Sequence, residues 1–216
     1  MEFETEEQQV EAIKKWLKEY GTTIIAGLVL GLVGIFGFRY FDKQQELNLS
    51  KASDGYETVM VFLAEQKDDE KFIIAASAFN KENPDSIYSN LLSLQLAKLA
   101  VAQDDLGTAA QHLSDVMNNA QHGTIEHIAR IRLVRILIAQ NEGDKGLATI
   151  AEVVGDQFIS SYEMLRGDIW FAKGDRSRAS QAYAAAKKHG ADGPTAPNLE
   201  MLLTDLADET AVADVK

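Results

Sequence analysis

The chain has 216 residues, 46% hydrophobic and 25% charged, and 21 Lys plus Arg against 33 Asp plus Glu leave it a formal net charge of −12. With no cysteine there is no disulfide framework, thiolate metal site or cysteine nucleophile, and the excess of acid repels a phosphate backbone, so nucleic acid is not an expected partner. Only 3 Pro, two of them at positions 194 and 197, leave long stretches without a backbone breaker and favour an all-α fold.

The first twenty residues hold six acids and three lysines. Thr5 followed by Gln8 is a capping-box pattern, and Val10, Ile13, Leu17 and Tyr20 recur at helical spacing, so this tail reads as a short helix that runs on into an apolar segment. From Gly21 to Phe38 no residue is charged, and ten of the eighteen are Ile, Leu, Val or Phe. At about 1.5 Å per residue the run spans roughly 27 Å, close to a bilayer's hydrocarbon core. Trp16 and Tyr20 before it, and Tyr40 and Phe41 after it, sit where aromatic rings favour the headgroup interface. The ten large apolar residues together favour insertion by roughly 3 to 6 kcal/mol, less what five glycines and two threonines subtract. A cleaved signal peptide would need a basic start and a small-residue cleavage site, and the chain has an acidic start and bulky Arg39-Tyr40-Phe41 instead. A single uncleaved anchor in a lipid bilayer is therefore expected over a signal peptide or a buried core helix. Charge does not orient it: Lys14, Lys15 and Lys18 balance Arg39, Lys43 and Lys51. Gly27 and Gly31 form a G-x-x-x-G that either admits a second membrane helix or is merely tolerated.

Beyond the anchor, apolar residues spaced three and four apart predict helices at 43 to 66, 69 to 82, 86 to 103, 106 to 120, 124 to 141, 145 to 155, 159 to 173, 176 to 189 and 197 to 207. Short polar or Gly-containing breaks make neighbours antiparallel. The turn Gly174-Asp175 with Ala179 lines up with Gly143-Asp144 and Ala148 at an offset of 31, and with the stretch Asp104 to Ala109 at an offset of 70. Around the last turn Gly167 and Trp170 precede, and Tyr183 and Ala186 follow; Ala97, Ala100 and Leu113 hold the corresponding places in the first unit. Small residues there let two helices approach closely while aromatics fill the wedge to the next pair, as in a tetratricopeptide repeat. The alternative is an irregular bundle with coincidental turns. The expected organisation is a helical tail (1–20), a transmembrane helix (21–41), a helical linker or capping hairpin (42–84), degenerate tetratricopeptide-like repeats (85–190), and a C-terminal capping helix with an acidic tail (191–216).

In such a solenoid the first helix of each pair lines the concave face. A register transferred from the last unit nominates Met164, Asp168 and Phe171 there, Arg130, Leu133 and Leu137 in the middle unit, and Leu94, Lys98 and Val101 in the first. The resulting groove is mainly apolar with scattered charge, suited to an amphipathic or extended peptide and without the concentrated Lys/Arg set that clamps a terminal carboxylate, although each leucine also fits a plain core role. Arg130, Arg132 and Arg135 spread over more than one helix face, where surface pairing is the default reading. The four histidines, at 112, 122, 127 and 189, lack the spacing of a zinc pair, and no phosphate loop, nucleophile elbow or dinucleotide fingerprint is present. No enzyme activity, metal, cofactor or small-molecule substrate is expected.

Gln9-Val10-Glu11-Ala12-Ile13-Lys14 in the tail, the Gly-spaced span ending in Arg39-Tyr40, and Tyr88 with Leu94-Gln95-Leu96-Ala97 carry a resemblance to a known family. Arg132-Leu133 with Arg135, Leu165-Arg166-Gly167-Asp168 and Lys173-Gly174-Asp175 complete it. On these residues the chain resembles the YfgM family, ancillary subunits of the bacterial SecYEG translocon. The resemblance implies a cytoplasmic N-terminus, one inner-membrane helix and a periplasmic solenoid. It also implies association with the translocon and with a membrane-anchored periplasmic prolyl isomerase-type chaperone, and it brings no catalytic residues. The expected function is a membrane-tethered adaptor in protein translocation. The alternative is an oligomeric membrane-tethered scaffold that sequesters a signalling or stress-response protein. The acidic tail, the segment Ala191 to Pro197 and the end Asp205 to Lys216 depart from the family's pattern.

Overall fold

The computed structural model describes residues 6–66, 68–151, 156–190 and 199–206, all helical apart from short connections and with no strand among them. Thr5 of the expected capping box, residues 152–155 of the helix expected at 145 to 155, and the acidic end beyond residue 206 lie outside the described residues. The chain divides into two units, residues 1–51 and 52–216.

The first unit is helix throughout its described residues, belonging to α1 (Glu6–Val61), 56 residues long. No break separates the apolar run from the helix expected at 43 to 66. Residues 42–50 contain neither Gly nor Pro and consist largely of good helix formers, so nothing in them ends the helix. The apolar window has a mean hydropathy of 2.1, and none of it is buried, which makes this a helix long and apolar enough to cross a membrane.

In the second unit α1 ends in a π-helical turn (Phe62–Gln66), and among the described residues it is followed by α2 (Asp69–Glu82), α3 (Ile87–Ala102), α4 (Leu106–Asn119), α5 (Gly123–Ala139), α6 (Gly143–Thr149), α7 (Ile159–Ala172) and α8 (Arg176–Lys188). Residues 199–206 form a last helical segment. Side-chain acceptors cap four of these starts. Asp68 accepts from the amide of Lys71, Ser86 from Tyr88, Asp105 from Thr108 and Asp175 from Arg178, each at 2.9 to 3.2 Å.

Three turns share one geometry. Asp104, Asn141 and Gly174 each take a left-handed conformation, with φ of 61°, 61° and 77°. The next residue's amide, from Asp105, Glu142 or Asp175, then reaches back to the carbonyl of Ala100, Leu137 or Trp170 at 2.8 to 2.9 Å. Each is a Schellman-type stop, for which Gly, Asn and Asp are the residues that tolerate the left-handed position. The middle turn therefore corresponds to the last at an offset of 33, through Asn141, and not at 31 through Gly143.

With that register the key buried positions of the three units align. Ala97, Val134 and Gly167 are buried on the first helices, and Leu113, Ile150 and Tyr183 are buried opposite them. Ala109, Gly146 and Ala179 are the buried small residues one turn into α4, α6 and α8. The cores follow one another in series. Phe72 and Leu92 lie in the first, Leu113 and Leu133 in the second, Val134 and Ile169 in the third, and Tyr183 and Leu199 in the fourth. Helices α3, α5 and α7 each give one face to one core and another face to the next, which is the packing of a repeat solenoid.

Candidate partner-binding groove

Between α3 and α5 lies an open cavity of about 480 Å³. Leu94, Lys98 and Val101 line it from α3, and Arg132, Arg135 and Ile136 from α5, with Ala97 and Leu113 beneath. Val101 is 43% exposed, although its neighbours in the same helix form core. The three cations reach solvent at the rim, and no ion pair is formed by Lys98 or Arg132 among the described residues.

The nine residues nominated from the repeat pattern scatter over several environments. Leu94, Lys98 and Val101 meet at the cavity. Leu133 and Leu137 are buried in the second core. Arg130 turns the other way, donating to the Thr149 carbonyl at 2.9 Å and pairing with Glu126. Met164 packs on the fourth core beside the last helix. Phe171 is 45% exposed, with the Arg176 guanidinium 5.8 Å from its ring centre. Gly27 and Gly31 are open on α1, where an added Cβ would meet nothing within 4 Å. Gln95, Arg132, Arg135 and Ile136 also line the cavity, and the repeat pattern does not nominate them. The left-handed turn at Asn141 is the signal that finds Arg135, because an offset of 33 from Asp168 lands on it.

In this register Lys98, Arg135 and Asp168 are equivalent positions on three successive first helices. Asp168 is half-buried; its carboxylate accepts from the Tyr183 hydroxyl at 2.8 Å and lies within the field of Arg135. Burial pushes its pKa above the ordinary carboxylate value, and the Tyr183 hydrogen bond and Arg135 offset this in part. Burial likewise raises the Tyr183 hydroxyl, with Asp168 adding to the shift. Because native Asp168 holds its proton to higher pH than the unfolded chain does, its contribution to stability falls as pH rises from the unfolded value of 3.8 through the raised one. Asp168→Asn keeps an acceptor for Tyr183 and removes that titration. Urea unfolding across this window should show the variant's stability falling less, or rising more, with pH than the wild type's; an unchanged slope would assign the titration elsewhere.

On the far side of α3 a second cavity, about 360 Å³, is lined by polar groups that include Asn80, Ser93 and His112. Asn80 donates to Ser93 at 2.9 Å, and burial lowers the His112 pKa. No group of three His, Asp or Glu able to hold a metal ion occurs among the described residues.

An apolar membrane-length helix followed by stacked helix pairs with a side groove defines a class, the membrane-tethered tetratricopeptide-like proteins. A family described as "Tetratricopeptide repeat-like domain" matches residues 14–208. The chain is 30% identical over 185 residues to the ancillary SecYEG translocon subunit of Haemophilus influenzae, covering 86% of this chain and 90% of that protein. It is 28% identical over 205 residues to the protein of the same name from Escherichia coli, covering 95% and 98%. The Aggregatibacter actinomycetemcomitans protein of that name is 30% identical over 184 residues. No solved structure matches the chain. This chain belongs to the tetratricopeptide-like family of ancillary SecYEG translocon subunits, YfgM, as its tail and repeat motifs imply.

Proposed function

We propose that this protein is a non-catalytic adaptor of the bacterial inner membrane that associates with the SecYEG translocon. Its N-terminal tail lies in the cytoplasm and its repeat unit in the periplasm, beside a membrane-anchored prolyl isomerase-type chaperone to which exported chains are handed. The observation that carries this reading is similarity running from the tail through the last helix to relatives named for the translocon. Tethering by α1 supplies effective concentration, so individual contacts at the repeat unit can be weak and exchangeable. The groove residues Leu94, Lys98 and Val101 are the proposed contact set, with Phe171 an exposed aromatic neighbour on a later unit.

The test is purification of the full-length tagged protein from membranes in mild detergent, followed by immunodetection of SecY and of the chaperone. Both should co-purify, and a photo-crosslinker at Val101 should join the chaperone or a chain in transit. Absence of SecY from the purified material would sink the adaptor reading. Protease added to spheroplasts should digest the repeat unit from outside; protection until lysis would reverse the assigned orientation.

A further inference from the structure

The groove between α3 and α5 is positively charged in a protein whose net charge is −12. Three cations, Lys98, Arg132 and Arg135, surround an apolar strip made by Leu94, Val101 and Ile136. Elsewhere in the unit exposed cations mostly have a nearby acid. Lys71 pairs with Asp68 at 3.0 Å, Lys145 with Glu142 at 2.8 Å, Lys173 with Asp144 at 2.6 Å and Arg178 with Asp175 at 2.5 Å. At the groove Lys98 and Arg132 have no such partner among the described residues, and Arg135 has the Asp168 field alone. Desolvating unpaired cations over an apolar strip is costly unless the occupant brings anions. A neutral apolar peptide would leave that cost uncompensated, and a basic one would add repulsion. A volume of about 480 Å³ lies in the usual range of roughly 300–1,000 Å³ for recessed binding sites and admits a few side chains, not a folded domain.

We propose that this groove binds an acidic amphipathic segment of a partner protein, its apolar side chains against Leu94, Val101 and Ile136 and its carboxylates on Lys98, Arg132 and Arg135. This deepens the adaptor reading and rests on it for the occupant being a protein. The guanidinium groups of Arg132 and Arg135 offer forked donors that match carboxylates, while Lys98 supplies a point charge from the facing helix. An occupant of this chemistry is attracted from a distance only where the local field is positive, so the surrounding acidity of the protein restricts capture to this strip.

The experiment measures fluorescence polarisation with the full-length protein in detergent. One labelled probe is an amphipathic peptide of leucine and glutamate at helical spacing, and the other carries lysine in place of every glutamate. The glutamate probe should bind and weaken steeply with added salt, and the lysine probe should not bind. Lys98→Glu with Arg132→Glu should lower affinity for the glutamate probe at least about tenfold and create binding of the lysine probe. That exchange of preference is itself evidence of an intact groove. Should the reversed variant fail to fold by circular dichroism, K98Q/R132Q replaces it, with the same loss expected and a shallower salt dependence. Equal binding of both probes, or unchanged glutamate-probe affinity in either folded variant, overturns the proposal. SecY co-purification of the variants separates the two readings. Retained SecY with no probe discrimination fails the groove alone, and probe discrimination in a protein that never co-purifies SecY fails the adaptor reading alone.

Discussion

Gly167→Ala will destabilise the repeat unit by about 3 kcal/mol, against the trend for such a change in a helix interior. In open space alanine would stabilise α7 by about 1 kcal/mol over glycine. Here an added Cβ would stand 2.3 Å from Cε1 and 2.4 Å from Cδ1 of Tyr183. The ring cannot swing aside freely, because Tyr183 is 1% exposed and its hydroxyl is tied to Asp168 at 2.8 Å. Separating α7 from α8 by the missing distance would open the fourth core around Ala179 and Leu199. Thermal unfolding followed by far-UV circular dichroism should show a midpoint lowered by roughly 6–12 °C. In a Tyr183→Ala background the same glycine substitution should cost nothing, since its clashing partner is gone. A neutral or stabilising single variant would mean that α7 and α8 are not this close.

The second large effect concerns the anchor. Leu28 and Leu32 lie one helical turn apart at the middle of the apolar run, both exposed on α1. Lysine at mid-span costs about 2.5–3.5 kcal/mol per residue, so the pair costs about 5–7 kcal/mol, which exceeds the roughly 2.4 to 4.8 kcal/mol left from the run's eight remaining large apolar side chains. L28K/L32K should therefore move the protein from the alkali-resistant membrane pellet to the supernatant. L47K/L49K, beyond the run, should leave it in the pellet. Retention of the L28K/L32K protein after alkaline extraction would show that something other than this helix holds it.

Most helix limits were legible because their stops and starts use residues with narrow roles. The left-handed Gly174 and the aspartates at 105 and 175 announce the turns and caps they form. The break expected near residue 42 was not real, since a change from apolar to polar side chains alters a helix's solvent and not its backbone. The middle unit's register is less plain in its residues. Its left-handed residue is Asn141, and the more conspicuous Gly143, two residues on, opens α6 instead. On an α-helix each residue of misalignment turns the inferred face by about 100°, so a register shifted by one or two residues points to Arg130, Leu133 and Leu137 instead. The side chains that do face the groove, Arg132 and Arg135, belong to a cluster whose composition gives no direction. Only the packed neighbours of α5 say which of its arginines pairs and which stays open.

Cores arranged in series give the repeat unit a graded response to damage. Each core is braced by the ones beside it, so strain at α7 and α8 weakens the C-terminal end first and passes to α3 through α5. The cavity between α3 and α5 sits inboard of that end. Change at that end therefore reaches the groove last, as a zip parted at one end stays closed along its middle.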